Sequence, residues 1–191
     1  MDPIIKALIM PVVLIIILIY LIHGFIKISN KLNRLKVVVN ESKKNVDIAL
    51  AKRYDTITQM LKIAKSFANH ENITFTEVIK HRGGASAAEI DKTIDKQNKA
   101  INKIFALAEA YPELKSSDQF LKLQDEINDE NEQLAAAKRI ANSNISILNQ
   151  EIVSFPTSIV AKIKNMRELE FLTADNLNLK KSLDDIEYNI S

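Results

Sequence analysis

Cysteine and tryptophan are absent from this 191-residue chain, and only 3 glycines and 4 prolines occur. Without cysteine there are no disulfides, thiolate metal sites, cysteine nucleophiles or lipidated cysteine anchors. Few glycines and prolines argue against a turn-rich β architecture, because sheets need frequent turns and long helices need few. Neither sign of charge dominates: 26 basic and 24 acidic residues leave a net charge of +2. Phosphate recognition wants clustered cations, so this balance argues against a nucleic-acid partner. Ala, Leu, Ile, Lys, Glu, Asn and Asp dominate what remains and favour an all-α chain.

The longest stretch free of Asp, Glu, Lys and Arg runs from Ala7 to Ile26, bracketed by Lys6 and Lys27. Twenty helical residues rise about 30 Å, the thickness of a hydrocarbon core. A helix is required there, since every backbone polar group needs an internal partner. Pro11 lies in the first turns, and Tyr20 and His23 lie toward the headgroup end. A cleaved signal is disfavoured: the run is long, and Ile22-His23-Gly24-Phe25-Ile26 has no A-x-A-like site. Lys27, Lys31, Arg34 and Lys36 follow the span, with no acid before Glu41. The positive-inside rule therefore predicts an exterior N-terminus and a cytoplasmic body in the cell membrane. The same four cations are candidate headgroup contacts, or topology signals alone.

Beyond the span, apolar residues recur at helical spacing. The first stripe is Leu32, Leu35, Val39, Ser42, Val46, Ala49, Ile57, Met60, Ala64 and Phe67, with Arg53 in an expected apolar slot. The span is predicted to run into this first helix, ending near Glu71. Thr74 and Glu77 fit a capping box for a second helix, interrupted near Gly83-Gly84-Ala85-Ser86 and ended by Tyr111-Pro112. A third helix opens near Ser116 or Ser117 and stops at Phe155-Pro156; its stripe runs from Phe120 to Ile152 through Asn131. A short fourth is predicted over Thr157 to Phe171. The expected architecture is a transmembrane helix continuing into an antiparallel bundle of three long helices plus a short fourth. Its segments are a short exterior N-terminus (1–6), the span (7–26), the bundle (27–171) and a weakly structured tail (172–191).

Several segments resemble the LemA family. Ala51-Lys52-Arg53-Tyr54-Asp55 followed by Phe67-Ala68-Asn69-His70-Glu71 is similar to its first-helix motif. Leu107-Ala108-Glu109-Ala110-Tyr111-Pro112-Glu113-Leu114-Lys115, then Phe120-Leu121-Lys122-Leu123-Gln124, resembles its most specific segment. Asn142, Asn149, Phe155 and Pro156 fall at the family's spacing. The resemblance implies a single span, a cytoplasmic helical bundle and no settled enzymatic activity; by analogy with a magnetosome-associated branch it suggests membrane organisation. This chain departs from the pattern in places. Thr56-Ile57-Thr58-Gln59 replaces a Leu-Ile-Pro-Asn run, which predicts a straighter first helix. Asn131 and Lys138 stand where the family tends to carry Glu and Arg, and Ala141 and Leu148 stand where tyrosines are expected.

Candidate polar contacts follow from the stripes. Arg53 on an apolar stripe is either bonded to a carboxylate inside the bundle, with Glu109 and Glu132 as candidate partners, or solvated with its stem over the core. Lys52 and Asp55 lie beside it. Asn131 lies on the third stripe, and polar stripe residues can fix register or oligomeric state at some cost in stability. Asn142 and Asn149, with Lys138, read as bundle polar contacts or a partner interface. Lys162, Lys164 and Arg167 fit either a membrane surface or a solvated face. His70, Glu71 and His81 match no zinc spacing, and Gly83-Gly84 has neither the strand nor the G-K-[ST] of a phosphate loop. With no nucleophile–base pair either, no enzyme, metal or cofactor is expected. The functional expectation is a membrane-anchored scaffold that self-associates or organises partners. The competing one is a monomeric adaptor or regulatory subunit of another membrane protein, such as a protease or sensor.

Overall fold

A computed structural model describes residues 3–67 and 86–173 of the chain, with side chains of the first helix from Met10 onward. Those residues form five helices and no strand: α1 (Pro3–Phe67), α2 (Ala87–Ala110), α3 (Pro112–Lys115), α4 (Asp118–Val153) and α5 (Thr157–Ile163). The chain is all-α, and its apolar N-terminal segment continues without a break into the helix that supplies core residues. α1 is long and apolar enough near its N-terminus to cross a membrane, by length and composition. Its side chains from Met10 to Phe25 bury almost nothing within the protein. Such a surface has no solvent-compatible explanation of its own in water. The Thr74–Glu77 box, His70, Glu71, His81 and Gly83-Gly84 lie outside the described residues.

Two compact units divide the chain, and residues 27–171 are shared between them. Lys43–Arg139 with the residues from Glu170 form one unit. Its core draws Ile57 and Met60 from α1, Ile101 and Ile104 from α2, Leu114 from α3, and Phe120 and Ile127 from α4. Phe120 is buried, and Phe105 meets it edge to face with ring centroids 6.4 Å apart. Such a ring contributes roughly 1.5–3 kcal/mol through burial. α2 starts where Ser86 caps it: Glu89 N–H donates to Ser86 Oγ at 3.3 Å, and Ser86 N–H donates to Glu89 Oε2 at 2.9 Å. This reciprocal pair satisfies two otherwise orphaned donors. The helix stops at Tyr111, extended at φ −121° and ψ 92°, as Pro112 requires of the residue before it.

The other unit takes the chain up to Ser42 together with Ile140–Leu169. Here Leu32 and Val39 of α1 pack on Ile145, Leu148 and Ile152 of α4, and Val160 and Ala161 of α5 complete the cluster. Lys31 Nζ reaches Glu151 Oε1 at 2.6 Å, and Lys164 Nζ donates to Ser29 Oγ at 2.8 Å and Asn33 Oδ1 at 2.6 Å. α5 is shorter than the sequence stripe implied: it ends at Ile163, not Phe171. The stop signal is Asn165, which adopts a left-handed φ of 51°. Asn165 N–H then donates to Lys162 O and Met166 N–H to Ala161 O, the two bonds of a Schellman closure. Met166 packs on the cluster that contains Ala161, which supplies the apolar contact usual for that motif. Leu172, assigned to the tail on sequence grounds, is buried.

A polar layer within the bundle

Each long helix of the Lys43–Arg139 unit carries a buried polar residue on its apolar stripe at one shared level. In α1 the interruption is Arg53, between Ala49 and Ile57. In α2 it is Gln97, between Ile94 and Ile101. In α4 it is Glu130 with Asn131, between Ile127 and Leu134. The three interruptions meet. Arg53 Nε donates to Asn131 Oδ1 at 2.8 Å, Nη1 to Gln97 Oε1 at 3.3 Å, and Nη2 to Asn98 Oδ1 at 2.5 Å. Gln97, fully buried, donates its Nε2 to the Leu50 carbonyl at 3.1 Å. A guanidinium offers five donors in a rigid fork, so it ties two other helices to α1 at one level.

Burial of a charge is costly unless it is hydrogen-bonded. Arg53 is 3% exposed, and three amide oxygens accept from it. Glu109 and Glu132, the carboxylates considered for this role, are exposed, as is Asp55. The buried carboxylate is Glu130, which is not among the predicted stripe residues. It stands one residue ahead of Asn131, at i+3 from Ile127, so the 3.6-residue period places it on the inner face. Thr56 Oγ1 donates to Glu130 Oε1 at 3.0 Å, while Oε2 is buried without a hydrogen-bond donor among the described residues. Burial pushes the Glu130 carboxyl above its usual value of 4.5, with Glu126 adding to the rise. The Thr56 hydrogen bond and the nearby Lys52 and Arg53 charges oppose it.

A carboxyl whose folded pKa is raised favours folding fully at pH below its unfolded pKa. That contribution is lost as pH rises through the folded pKa. At neutrality Glu130 is therefore a net cost. The Glu130→Gln variant is expected to gain stability at neutral pH and to lose part of the fall in stability above the ordinary carboxylate range. Denaturant midpoints of both proteins across that range check this. A less stable variant at neutral pH would mean that charge attraction to Arg53 and Lys52 outweighs desolvation.

The remaining sequence candidates fall in different places. Lys138 is buried, 5% exposed, and Asn142 is half-buried. Asn149 clasps the backbone of Leu169: its Nδ2 donates to the carbonyl at 2.9 Å and its Oδ1 accepts from the N–H at 2.8 Å. Lys27, Lys31, Arg34 and Lys36 are exposed. No group of three or more His, Asp or Glu residues with metal-binding geometry occurs among the described residues. An open groove of about 280 Å³ runs along α1 and α4, lined by Asn45, Ile48, Ala49, Lys52, Gln133 and Ala137.

The family model described as LemA family matches residues 42–187. The chain belongs to the LemA family. It is also 25% identical over 157 residues, covering 78% of this chain and 70% of the relative, to a protein named LemA from Metamycoplasma hominis. Within the matched residues Asn131 accepts from Arg53 Nε, and the neighbouring Glu130 accepts from Thr56 Oγ1. The family match starts at Ser42, beyond the apolar segment of α1.

Proposed function

We propose that this member of the LemA family is a non-enzymatic scaffold, anchored in the cytoplasmic membrane by the N-terminal part of α1 and self-associating through its helices. The C-terminal body faces the cytoplasm in this reading, as the four cations after the span favour. The observation that carries self-association is a set of apolar side chains that the protein's own core does not use. In the unit containing Ile140–Leu169, Ile140 and Ile147 of α4 are 56% and 45% exposed. They stand seven residues apart on one helix face, the spacing of a coiled-coil seam. Val37 and Val38 of α1, in the same unit, are also exposed. Long helices with spare apolar positions bury them against another copy at little cost when both copies are confined to one membrane.

The test is energy transfer between donor- and acceptor-labelled chains reconstituted together in vesicles. Transfer that persists as lipid dilutes the protein supports the proposal. The Ile140→Lys/Ile147→Lys variant is expected to abolish that transfer while keeping helicity, since exposed substitutions shift stability by only about 0.5 kcal/mol. Undiminished transfer in the variant would remove this face from the account. A second reading, a monomeric adaptor, is favoured by the α1–α4 groove, whose small residues Ala49 and Ala137 admit a partner helix closely. A stoichiometric membrane-protein partner recovered with a monomeric chain would establish it.

A further inference from the structure

Four apolar side chains at the end of α4 and along α5 are more than half exposed. Val153 is 59% exposed, Phe155 82%, Ile159 53% and Ile163 62%. α5 spends its other face, Thr157, Val160 and Ala161, on the core. A seven-residue helix that is apolar on both faces is unusual for a water-exposed element.

The level of these residues along α1 is fixed by contacts within the unit. Lys31 pairs with Glu151, so α4 approaches the start of α1 as its own numbering rises. Five residues separate Lys31 from Ile26, about 7.5 Å at 1.5 Å per residue. α4 ends at Val153, two residues and about 3 Å further in the same direction, and Phe155 follows in the turn that leads into α5. Lys164 ties the far end of α5 to Ser29 and Asn33, the latter about 10 Å from Ile26. α5 thus lies within about 10 Å of the end of the apolar segment, at the headgroup boundary. The charge agrees. Residues 27–36 and 155–167 carry Lys27, Lys31, Arg34, Lys36, Lys162, Lys164 and Arg167 and no acid.

We propose that Phe155, Ile159 and Ile163 form a second membrane contact, inserted among anionic lipid headgroups beside the span. The proposal rests on the reading of α1 as a membrane span. Aromatic and aliphatic side chains enter the headgroup boundary, and neighbouring lysines and arginines hold anionic lipid. Lys164 is the strut that fixes α5 to α1, so the span itself sets the depth and tilt of α5. The Schellman closure at Asn165 ends the helix before Glu168 and Glu170 would enter this layer.

The absence of cysteine makes the test direct, because any introduced thiol is unique. Full-length Phe155→Cys, Ile159→Cys, Gln59→Cys and Ile22→Cys variants are labelled with a polarity-sensitive dye and reconstituted at high lipid-to-protein ratio in phosphatidylglycerol–phosphatidylcholine vesicles. Gln59 is exposed, lies about 50 Å along α1 from Ile26, and is outside the face assigned to self-association. The expected result is blue-shifted emission and several-fold weaker quenching by aqueous iodide at positions 155 and 159 than at 59. Position 22 is expected to be shielded most. Equal quenching at 155, 159 and 59, with 22 shielded, would overturn the second contact and leave the span. Quenching at 22 as strong as at 59 would overturn both. Shielding of 155 and 159 that vanishes as lipid dilutes the protein would assign the face to a second copy of the chain and overturn the lipid contact.

Discussion

Replacing Arg53 with alanine is expected to destabilise the Lys43–Arg139 unit by about 3–5 kcal/mol, the range for breaking a buried charge network from one side. Hydrogen bonds to a charged group are worth roughly 1.5–3 kcal/mol each, though not additively. The loss is uneven. Asn98 and Asn131 are half-buried and recover water, whereas Gln97 is fully buried and keeps an unsatisfied oxygen. Glu130 also loses a nearby positive charge. A domain holds only about 5–15 kcal/mol in total, so the variant should unfold at a much lower denaturant concentration. Urea titration of the full chain in mild detergent, followed by circular dichroism, measures this. A paired Arg53→Met/Gln97→Leu variant is expected to recover much of the lost stability, since apolar groups of similar volume replace buried polar ones without orphans. A cost under about 1 kcal/mol for Arg53→Ala would mean that the guanidinium is effectively solvated.

Removal of residues 1–26 is expected to move the chain from the membrane fraction to the soluble fraction almost completely. Leu, Ile, Val and Phe at the centre of a span each contribute about 0.3–0.6 kcal/mol to insertion, and this segment is built mostly of them. No core side chain of either unit precedes Ile28, so the helical signal of the remainder should be retained. What persists should be weak binding to anionic vesicles through α5 and the basic residues, abolished by salt. Sedimentation of the truncated chain with and without vesicles checks this. Full retention in the membrane fraction at high salt would mean that α1 is not the anchor.

Helix type and the inner faces were legible because 3.6-residue periodicity is written in many residues at once. Val39, Val46, Ile57 and Met60 are buried where their spacing put them. So are Ile127, Leu134, Ile145 and Leu148, and Tyr111-Pro112 breaks the chain where it should. Single-residue signals were harder to read. Asn165 ends α5 through one left-handed backbone angle, against a stripe that continues from Ile159 and Ile163 to Met166. The polar layer was half visible. Arg53 and Asn131 stood out because each replaced an expected apolar residue. Gln97 was hidden in a polar run, Asp95-Lys96-Gln97-Asn98-Lys99, where only the turn-by-turn count from Ile94 to Ile101 marks its inward position. Glu130 was hidden by the same ambiguity between neighbouring i+3 and i+4 slots. Which acceptors surround Arg53 depends on the register between helices, and that is set in three dimensions.

The mass of the full-length chain in mild detergent, measured by light scattering beside the chain lacking residues 1–26, tests the scaffold account most directly. The account predicts a discrete oligomer of the full-length chain that survives dilution and is reduced by Ile140→Lys/Ile147→Lys. A monomer at every concentration, with or without the apolar segment, would contradict it.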